Sequence, residues 1–435
     1  MAKRHSNTVG NLESLFLRLE ELVLANSGED EFEEIYKLLI AKLWDERSGK
    51  EARFRALENH EETFRAVGGL LREAEVGWPG ILETGSVPRL TTEHLGVCVE
   101  ALARHTISNA GLSVMDSFFE FLVARAAKGS KGQYFTPRYA VELCVRMLRP
   151  REGETVLDPA CGSGGFLIHV LNYIRRKYGL DGPAVRRYAA ASLWGFDLDS
   201  RAIRVAKALM ILAGDGSANI LRLNSLLKPD MGGTSLFAEN DAGTVLTIED
   251  ICRTRMRRHK GFDVILTNPP FAGEVRERQV LDGYHVARGK PRVERDVLFL
   301  ERCVDLLRPG GRLAIVLPHN KFAMGALGYM REWLVKNARV LGVVGLGRNT
   351  FLPHTHQKAS ILFAQKNEEG AKSRDDANIF FAISERDGKN SKGQPLFRAG
   401  AEDAEEEWDR IDHDLEEVVG KFHEFCDAES LSVGG

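Results

Sequence analysis

The feature that most constrains the fold is an alternation of short apolar runs with helical segments between about residue 150 and residue 318. The apolar runs are typical of buried strands, and they are ETVLD, SLWGFD, NILRL, FDVILTN and GRLAIVLP. Strands that alternate with helices predict a parallel sheet covered by helices on both faces. Two later runs, RVLGVVGL and KASILFAQ, are joined by a short connection and predict an antiparallel pair at the sheet edge, which gives an α/β fold with seven strands.

Composition divides the chain into three expected parts. Residues 1–128 are predicted to form a helical N-terminal domain, whose apolar stripes pack a bundle or contact a partner or DNA. The glycine-rich KGSKGQ indicates a hinge, and residues 129–366 then hold the strands and helices. Residues 367–435 are expected to form a C-terminal extension with an acidic amphipathic helix. That helix either lies on its own protein or docks a partner subunit.

The charge balance excludes a strongly basic nucleic-acid-binding protein. The 435 residues carry 59 Lys and Arg against 62 Asp and Glu, so the formal net charge is −3. Any contact with nucleic acid therefore has to be local or supplied by a partner. The absence of long apolar runs and of a signal-like start leads us to expect a cytoplasmic protein without membrane contact. Six cysteines with no C-x-x-C exclude a disulfide scaffold and a sulfur-rich zinc site.

The motif VLDPACGSGGFL predicts a ligand site at the end of the first strand. The strand ends at Asp158, and the glycines that follow allow a tight turn into a helix near Phe166. Neither a phosphate loop nor the dinucleotide pattern fits, because no Gly-Lys-Ser/Thr follows and Leu167 occupies the third glycine position. An acidic residue beside this turn favours a cationic ligand with an amino group. At the end of the next strand, Asp197 is placed to accept ribose hydroxyls, whereas Asp199 suits a helix N-cap.

The second chemical motif is NPPF, which directly follows the apolar strand FDVILT. Pro269 and Pro270 fix the backbone and remove two N–H donors, so carbonyls and the Asn268 side chain form an acceptor-rich cup. Two acceptors that hold the hydrogens of a planar amine would help its delocalised lone pair to attack an electrophile. Phe271 offers a flat face on which a ring can stack. A simple strand-terminating turn is the alternative interpretation.

GQYFTPR, DPACGSGGFL and NPPF, in this order, resemble the amino-group DNA methyltransferases that use S-adenosylmethionine. More closely, the chain resembles the modification subunit of type I restriction-modification systems. The resemblance implies a Rossmann-like methyltransferase domain that transfers a methyl group to the N6 amine of adenine, after the base has been flipped out of double-stranded DNA.

The resemblance also assigns roles to individual residues. The target adenine would be held by Asn268, Pro269, Pro270 and Phe271. The cofactor would be held by Gln133, Tyr134, Phe135, Thr136, Pro137, Arg138, Asp158, Ser163, Gly164, Gly165, Asp197 and Asn224. Thr136 is expected to cap a helix whose first residue is Pro137. Asn224 departs from the family, which often has an acidic residue at this position to contact the cofactor's adenine.

We expect no domain that reads bases in these residues, since about 25 residues follow Phe271 before the next predicted helix and the tail is acidic. The resemblance therefore implies a separate specificity subunit and two copies of this chain per complex, and it leaves a restriction subunit open. Six basic residues could neutralise DNA phosphates or form an exposed loop: Arg276, Arg278, Arg288, Lys290, Arg292 and Arg295. Residues 253–260 are a weaker basic patch, and His354-x-His356 lacks a third ligand for a metal.

Two other classes of function remain open at this point. The same fold can act on ribosomal RNA guanine or on protein glutamine, and a silent subunit could bind the cofactor only as a scaffold.

Overall fold

The structure is a computed structural model of the chain. It describes residues 14–21, 27–49, 51–107, 115, 118, 119, 122, 135–214, 219–229, 247–255, 261–368, 370, 377–386, 388–401, 404, 406–431 and 433. The chain divides into two compact units, which are Met1–Gly129 with Arg204–Ser217, and Ser130–Ile203 with Ala218–Gly435.

The first unit is helical. Its three long described helices are α1 (Glu31–Arg47), α2 (His60–Gly77) and α3 (Thr92–Ala103). Each begins after a residue whose side chain accepts a hydrogen bond from the first turn, namely Asp30, Asn59 and Thr91. The core contains fully buried leucines, and the buried Tyr36 hydroxyl donates to the Ile81 carbonyl at 2.9 Å. The predicted helical character is therefore confirmed over these residues.

The second unit is built on strands. Its described strands are β1 (Val156–Asp158), β2 (Leu193–Asp197), β3 (Ile220–Arg222), β4 (Phe262–Thr267), β5 (Glu274–Val275), β6 (Val293–Glu294), β7 (Leu307–Pro318), β8 (Ala338–Gly345), β9 (Ala359–Lys366) and β10 (Phe380–Ile383). Eight of them form one sheet in the order β10-β8-β9-β7-β4-β1-β2-β3, and β5 pairs with β6 in a small antiparallel ribbon. The pairs β3–β2, β2–β1, β1–β4, β4–β7 and β8–β10 are parallel, so β9 alone of these eight runs in the opposite direction.

The described helices of this unit connect the strands or cover the sheet. They are α4 (Arg138–Leu148), α5 (Gly165–Tyr178), α6 (Gly182–Ser192), α7 (Ser200–Leu212, which continues into the first unit), α8 (Ile248–Arg255), α9 (Arg278–Leu281), α10 (Arg295–Leu306), α11 (Asn320–Ala323), α12 (Gly328–Asn337), α13 (Glu407–Arg410) and α14 (Leu415–Ala428).

Helices lie on both faces of the sheet, as predicted. Leu157 and Ile265 belong to one buried apolar cluster with Leu300 of α10. Gly195 lies on the opposite face, because a Cβ atom there would meet the Leu167 Cδ1 atom of α5 at 2.7 Å. The strands that carry the site are thus held between two helical layers.

The sheet has eight strands and not the predicted seven. β8 and β9 pair antiparallel as predicted, but β10 lies outside β8, so this pair is not at the edge of the sheet. The sequence signal of β10 is weak because the strand has four residues and is poorly covered. Phe381 and Ile383 are 71% and 67% exposed, as is common for an edge strand with one open face.

The acidic C-terminal helix, α14, packs on its own unit. The Phe422 ring lies 5.8 Å from the ring of Phe363 and 5.5 Å from that of Phe380. Glu416 and Glu417 are exposed on the other side of the helix. The apolar face is therefore occupied within the chain, and the acidic face is the part that a partner could contact.

Among the described residues, no helix combines the length and apolar character that crossing a membrane requires. All six cysteines are free thiols, and Cys252 is the one that is not fully buried.

Candidate functional site

Four neighbouring parallel strands bring polar side chains to the carboxyl edge of the sheet. β1 ends at Asp158, β2 ends at Asp197, Asn224 follows β3, and Asn268 follows β4. Because the strand order is β4-β1-β2-β3, these ends lie side by side. Open α/β sheets bind their ligands at this edge.

Asp158 is a buried acid, with 1% of its surface exposed. Its Oδ1 atom accepts hydrogen bonds from the Thr267 hydroxyl at 2.7 Å and from the Ala160 N–H at 3.1 Å. Burial raises the pKa of Asp158 to about 7, although these two hydrogen bonds act in the opposite direction. A cation bound beside this carboxyl would stabilise its ionised form and would itself be stabilised.

The glycine turn after β1 leaves open space beside its own backbone. Gly162 and Gly164 have φ angles of 51° and 89°, which only glycine adopts readily, and Gly164 is the N-cap of α5. A Cβ atom on Gly162 or Gly165 would have no neighbour within 4 Å. The turn can therefore admit a ligand against its backbone.

Asp197 forms a hydrogen bond with the same turn. Its Oδ2 atom accepts from the Gly162 N–H, and its Oδ1 atom from the Asp199 N–H, both at 2.9 Å. Burial raises the pKa of this carboxyl as well. A carboxylate has about four acceptor sites, so Asp197 can also accept from a ligand hydroxyl. Asp199 caps α7 as predicted, since it accepts from the N–H groups of Arg201 and Ala202.

The loop after β3 carries Asn224, whose Oδ1 atom accepts from the Leu226 N–H at 3.1 Å. The Ser225 hydroxyl donates to the Pro159 carbonyl at 2.6 Å, which connects this loop to the glycine turn. Buried Arg302 donates to the carbonyls of Ser225 and Leu227 at 2.7 and 2.8 Å. Sequence reasoning missed Arg302. The one feature that could have indicated it is the presence of an arginine within the otherwise apolar helix LFLERCVDLL.

The end of β4 is connected to Asp158 and to Thr136 by two consecutive side chains. Thr267 donates to Asp158, as described above, and the Asn268 Nδ2 atom donates to the Thr136 Oγ1 atom at 2.8 Å. Asn268, the first residue of NPPF, thus contacts a residue that is 132 positions away in the sequence. The NPPF turn is thereby connected both to the end of β1 and to the segment before α4.

A loop between β8 and β9 adds aromatic groups to this region. The Phe271 ring is 9% exposed and lies 6.1 Å from the Phe351 ring in an edge-on contact, while the Phe135 and His354 rings are 6.5 Å apart. Sequence reasoning missed Phe351, which lies 80 residues from Phe271. The sequence suggested His354 only as a possible metal ligand. In the described part of the chain, no three His, Cys, Asp or Glu side chains are grouped to hold a metal.

The basic segment after Phe271 lies at the same edge, because α10 runs back from this edge to the start of β7. Arg276 and Arg278 are 70% and 66% exposed and form ion pairs with nearby acids at 3.1 Å. Lys290 is less exposed, and its Nζ atom lies 3.8 Å from the centre of the Tyr329 ring. Residues 256–260 of the other basic patch lie outside the described residues.

Comparison with known proteins identifies the family. The sequence profile of the family described as "N-6 DNA Methylase" matches residues 112–431, which is most of the chain. The chain belongs to the N-6 DNA methylase family. The family resemblance seen in the sequence motifs is thereby confirmed.

Individual relatives of this N-6 DNA methylase family member are named as methylase subunits of type I restriction enzymes. The chain is 27% identical over 255 residues to the type I restriction enzyme EcoEI methylase subunit of Escherichia coli, which covers 58% of this chain and 46% of that protein. A second relative, the EcoKI methylase subunit of Escherichia coli K12, is 25% identical over 56% of this chain and 42% of its own length. The chain thus matches about half the length of these curated relatives.

Solved structures support the fold of this family member. The type I restriction-modification methyltransferase subunit of Streptococcus thermophilus superposes with a TM-score of 0.61 at 17% identity, over 97% of this chain and 93% of that one. A chain from a study of type I system assembly gives a TM-score of 0.63 at 18% identity, over 100% and 85%. At identities of 17% and 18% the likeness shows the fold alone.

The expected helix cap at Thr136 is wrong, whereas the cofactor roles of Gln133, Tyr134 and Arg138 stay predictions. Gln133 and Tyr134 lie outside the described residues. Arg138 forms an ion pair with Glu407 of α13 at 3.6 Å. Thr136 is not the N-cap of α4: the Pro137 carbonyl accepts the first helical bonds, from Ala140 and Val141, and the Thr136 hydroxyl is used by Asn268 instead.

Proposed function

We propose that this chain transfers a methyl group from S-adenosylmethionine to the N6 amine of adenine in double-stranded DNA. The observation that carries the proposal is the pair of hydrogen bonds at the end of β4, from Thr267 to Asp158 and from Asn268 to Thr136. They support an arrangement in which the cofactor side and the NPPF cup form one site. A reacting carbon and an amine need such proximity.

The residues of the first strand's turn fit the cofactor. S-adenosylmethionine supplies an electrophilic methyl group on a sulfonium, together with an amino group and a ribose. The buried Asp158 carboxyl would hold the cationic amino group, and the open backbone at Gly165 would lie against the methionine part. Asp197 would accept the ribose hydroxyls, and Asn224 would lie next to the cofactor's adenine.

On the substrate side, adenine must leave the duplex to reach NPPF, at a cost of about a few kcal/mol. The Asn268 side-chain carbonyl and the Pro269 main-chain carbonyl would accept the two amine hydrogens, and Pro270 would hold the turn rigid. Phe271, braced by Phe351, would stack on the base. The chain needs no strong base, because the amine proton becomes acidic only after the methyl group has been transferred.

We also propose that the chain acts as the modification subunit of a type I system, with a separate specificity subunit and two copies of this chain. A restriction subunit would supply any cleavage. Support comes from the names of the relatives and from neighbours solved with DNA, such as LlaBIII, with a TM-score of 0.51 at 14% identity over 88% of this chain and 29% of that one. The exposed acidic face of α14 is a candidate surface for a partner.

The function is tested with labelled S-adenosylmethionine and the reconstituted complex. The label is expected in N6-methyladenine after the DNA is digested to nucleosides. Label in RNA guanine or in protein glutamine would show that the substrate is RNA or protein and not adenine in DNA. Cofactor binding without turnover on any of these substrates would identify a silent scaffold.

Replacing Gly165 by alanine is expected to weaken cofactor binding by about tenfold, because the added methyl group enters the space assigned to the cofactor. The fold should tolerate the change, since the Cβ atom meets no protein atom within 4 Å and alanine favours a helix. Cofactor affinity is measured by calorimetry and stability by thermal unfolding. Gly420→Ala, at an exposed position of α14 and also without Cβ neighbours, is the matched control. Equal affinity in Gly165→Ala and wild type would contradict the assignment.

Replacing Arg288 and Arg295 by glutamine is expected to weaken DNA binding and its dependence on salt. Each lost phosphate contact should reduce the slope of log affinity against log salt by about 1. Both side chains are exposed at the edge that carries NPPF. Binding of the complex to a short duplex is measured at several salt concentrations. The matched control replaces two exposed arginines of α6, Arg186 and Arg187, by glutamine and should leave the slope unchanged. A slope equal to wild type in the Arg288 and Arg295 double variant would mean that this loop is only solvated.

A further inference from the structure

The hydrogen bond between Asn268 and Thr136 has a direction. The Asn268 Nδ2 atom donates, and the Thr136 Oγ1 atom accepts, at 2.8 Å. An amide side chain has its donor and its acceptor on opposite sides of one planar group. When the Thr136 hydroxyl takes the amide hydrogen, the Oδ1 atom is turned away from Thr136.

The proposed reaction requires this orientation. The target amine is a donor, so it needs the Asn268 carbonyl and not the Asn268 NH₂ group. A flipped amide would place N–H groups against the hydrogens of the amine, where no hydrogen bond can form. While the carbonyl holds the base, the NH₂ group requires its own acceptor, because a half-buried donor left without one is costly.

The backbone next to Thr136 is fixed by the start of α4. It directly precedes the buried Pro137, whose carbonyl accepts from Ala140 and Val141 at 2.9 and 3.0 Å at the start of α4. Tyr139 and Ala140 in the first turn of that helix are 2% and 0% exposed. The hydroxyl therefore comes from a backbone segment that is anchored in the core, which makes it a rigid reference for the Asn268 amide.

We infer that Thr136 is a positioning residue that fixes the amide of Asn268 with its carbonyl available to the target amine. Sequence motifs had assigned Thr136 to the cofactor. This inference rests on the proposed function, and it concerns the rate of methyl transfer and not the affinity for the cofactor.

The test compares Thr136→Val with Thr136→Ser in the reconstituted complex. Valine keeps the shape but removes the acceptor, so the single-turnover rate with saturating cofactor should fall about 10- to 100-fold. Cofactor affinity should stay within about twofold of wild type. Serine retains the hydroxyl and should restore most of the rate. Thr136→Ala serves as a second acceptor-free variant if valine impairs folding, which cofactor titration and thermal unfolding detect.

A double-mutant cycle with Asn268→Ala isolates the pair. If Thr136 acts through Asn268, the valine substitution should have little further effect once the amide is gone. Independent losses, a normal rate in Thr136→Val, or a loss confined to cofactor affinity would each overturn the inference. These outcomes need an active wild-type enzyme, so an inactive wild type would instead count against the proposed adenine methylation.

Discussion

Replacing Asn268 by alanine is expected to lower the rate of methyl transfer by about 100-fold or more, while the cofactor still binds. The carbonyl of Asn268 is one of two acceptors proposed to hold the target amine, and its loss leaves the lone pair delocalised into the ring. The side chain is fixed by its hydrogen bond to Thr136 at 2.8 Å, and alanine offers no side-chain acceptor at this position. Single-turnover kinetics with labelled cofactor measure the effect.

Two measurements make this result specific to Asn268. Cofactor affinity of Asn268→Ala should remain close to that of wild type, because Asp158 and the glycine turn are unchanged. Asn337→Ala, which removes an exposed amide that donates to the Trp333 carbonyl at 2.7 Å, should transfer methyl normally. A rate for Asn268→Ala equal to that of wild type would remove NPPF from the proposed mechanism.

The second large effect is expected at Asp158. Asp158→Asn should weaken cofactor binding by about 100-fold near pH 8, because the loss of one partner from a buried charge pair costs about 3 kcal/mol. The asparagine has nearly the same shape and can still accept from Thr267, so thermal unfolding should show a folded protein. Calorimetric titration with S-adenosylmethionine measures the affinity.

The raised pKa of Asp158 also predicts a pH dependence. Its carboxyl has a pKa of about 7 in the ligand-free protein, and the cationic ligand binds the ionised form. Affinity should therefore rise about tenfold per pH unit as the pH approaches 7 from below, and should level off above it. Asp197, whose pKa burial also raises, faces the same turn and would add to the dependence at low pH. Asp158→Asn should flatten the profile.

Thr267→Val sharpens this test. The Thr267 hydroxyl donates to Asp158 and holds the pKa of that carboxyl below the value that burial alone would give. Its removal should move the rise in affinity to higher pH.

For the ligand-free protein, the raised pKa of Asp158 means that the protonated carboxyl favours folding, and this contribution to stability is lost as the pH rises toward 7. A pH profile that stays the same in Asp158→Asn would assign the titration to another group.

Much of the site could be predicted from the sequence, because parallel strands deliver their ends to one edge. Asp158, Asp197 and Asn268 each follow an apolar run, so the alternation of strands and helices was enough to bring them together. The glycine turn and the N-cap role of Asp199 depend only on residues adjacent in sequence, so they could be predicted equally well.

The contacts that were missed join distant segments. Thr136 is 132 residues from Asn268, and its local sequence favours the N-cap role that the fold does not use. Phe351 reaches Phe271 only because β9 returns next to β7, which local patterning does not specify. β10 is short and half-exposed, and it is assigned by its pairing with β8 and not by its hydrophobicity.

The position of β9 between β7 and β8 has a consequence for a chain that emerges from the ribosome N-terminus first. β1 to β4 and β7 can assemble while residues after 318 are still in the exit tunnel or untranslated, and these strands already carry Asp158, Asp197 and Asn268. Phe351 belongs to the connection between β8 and β9, so it can settle against Phe271 only after β9 has been translated. A nascent chain would thus complete the edge proposed to bind the sulfonium donor first and the aromatic contact proposed to stack on the nucleobase last.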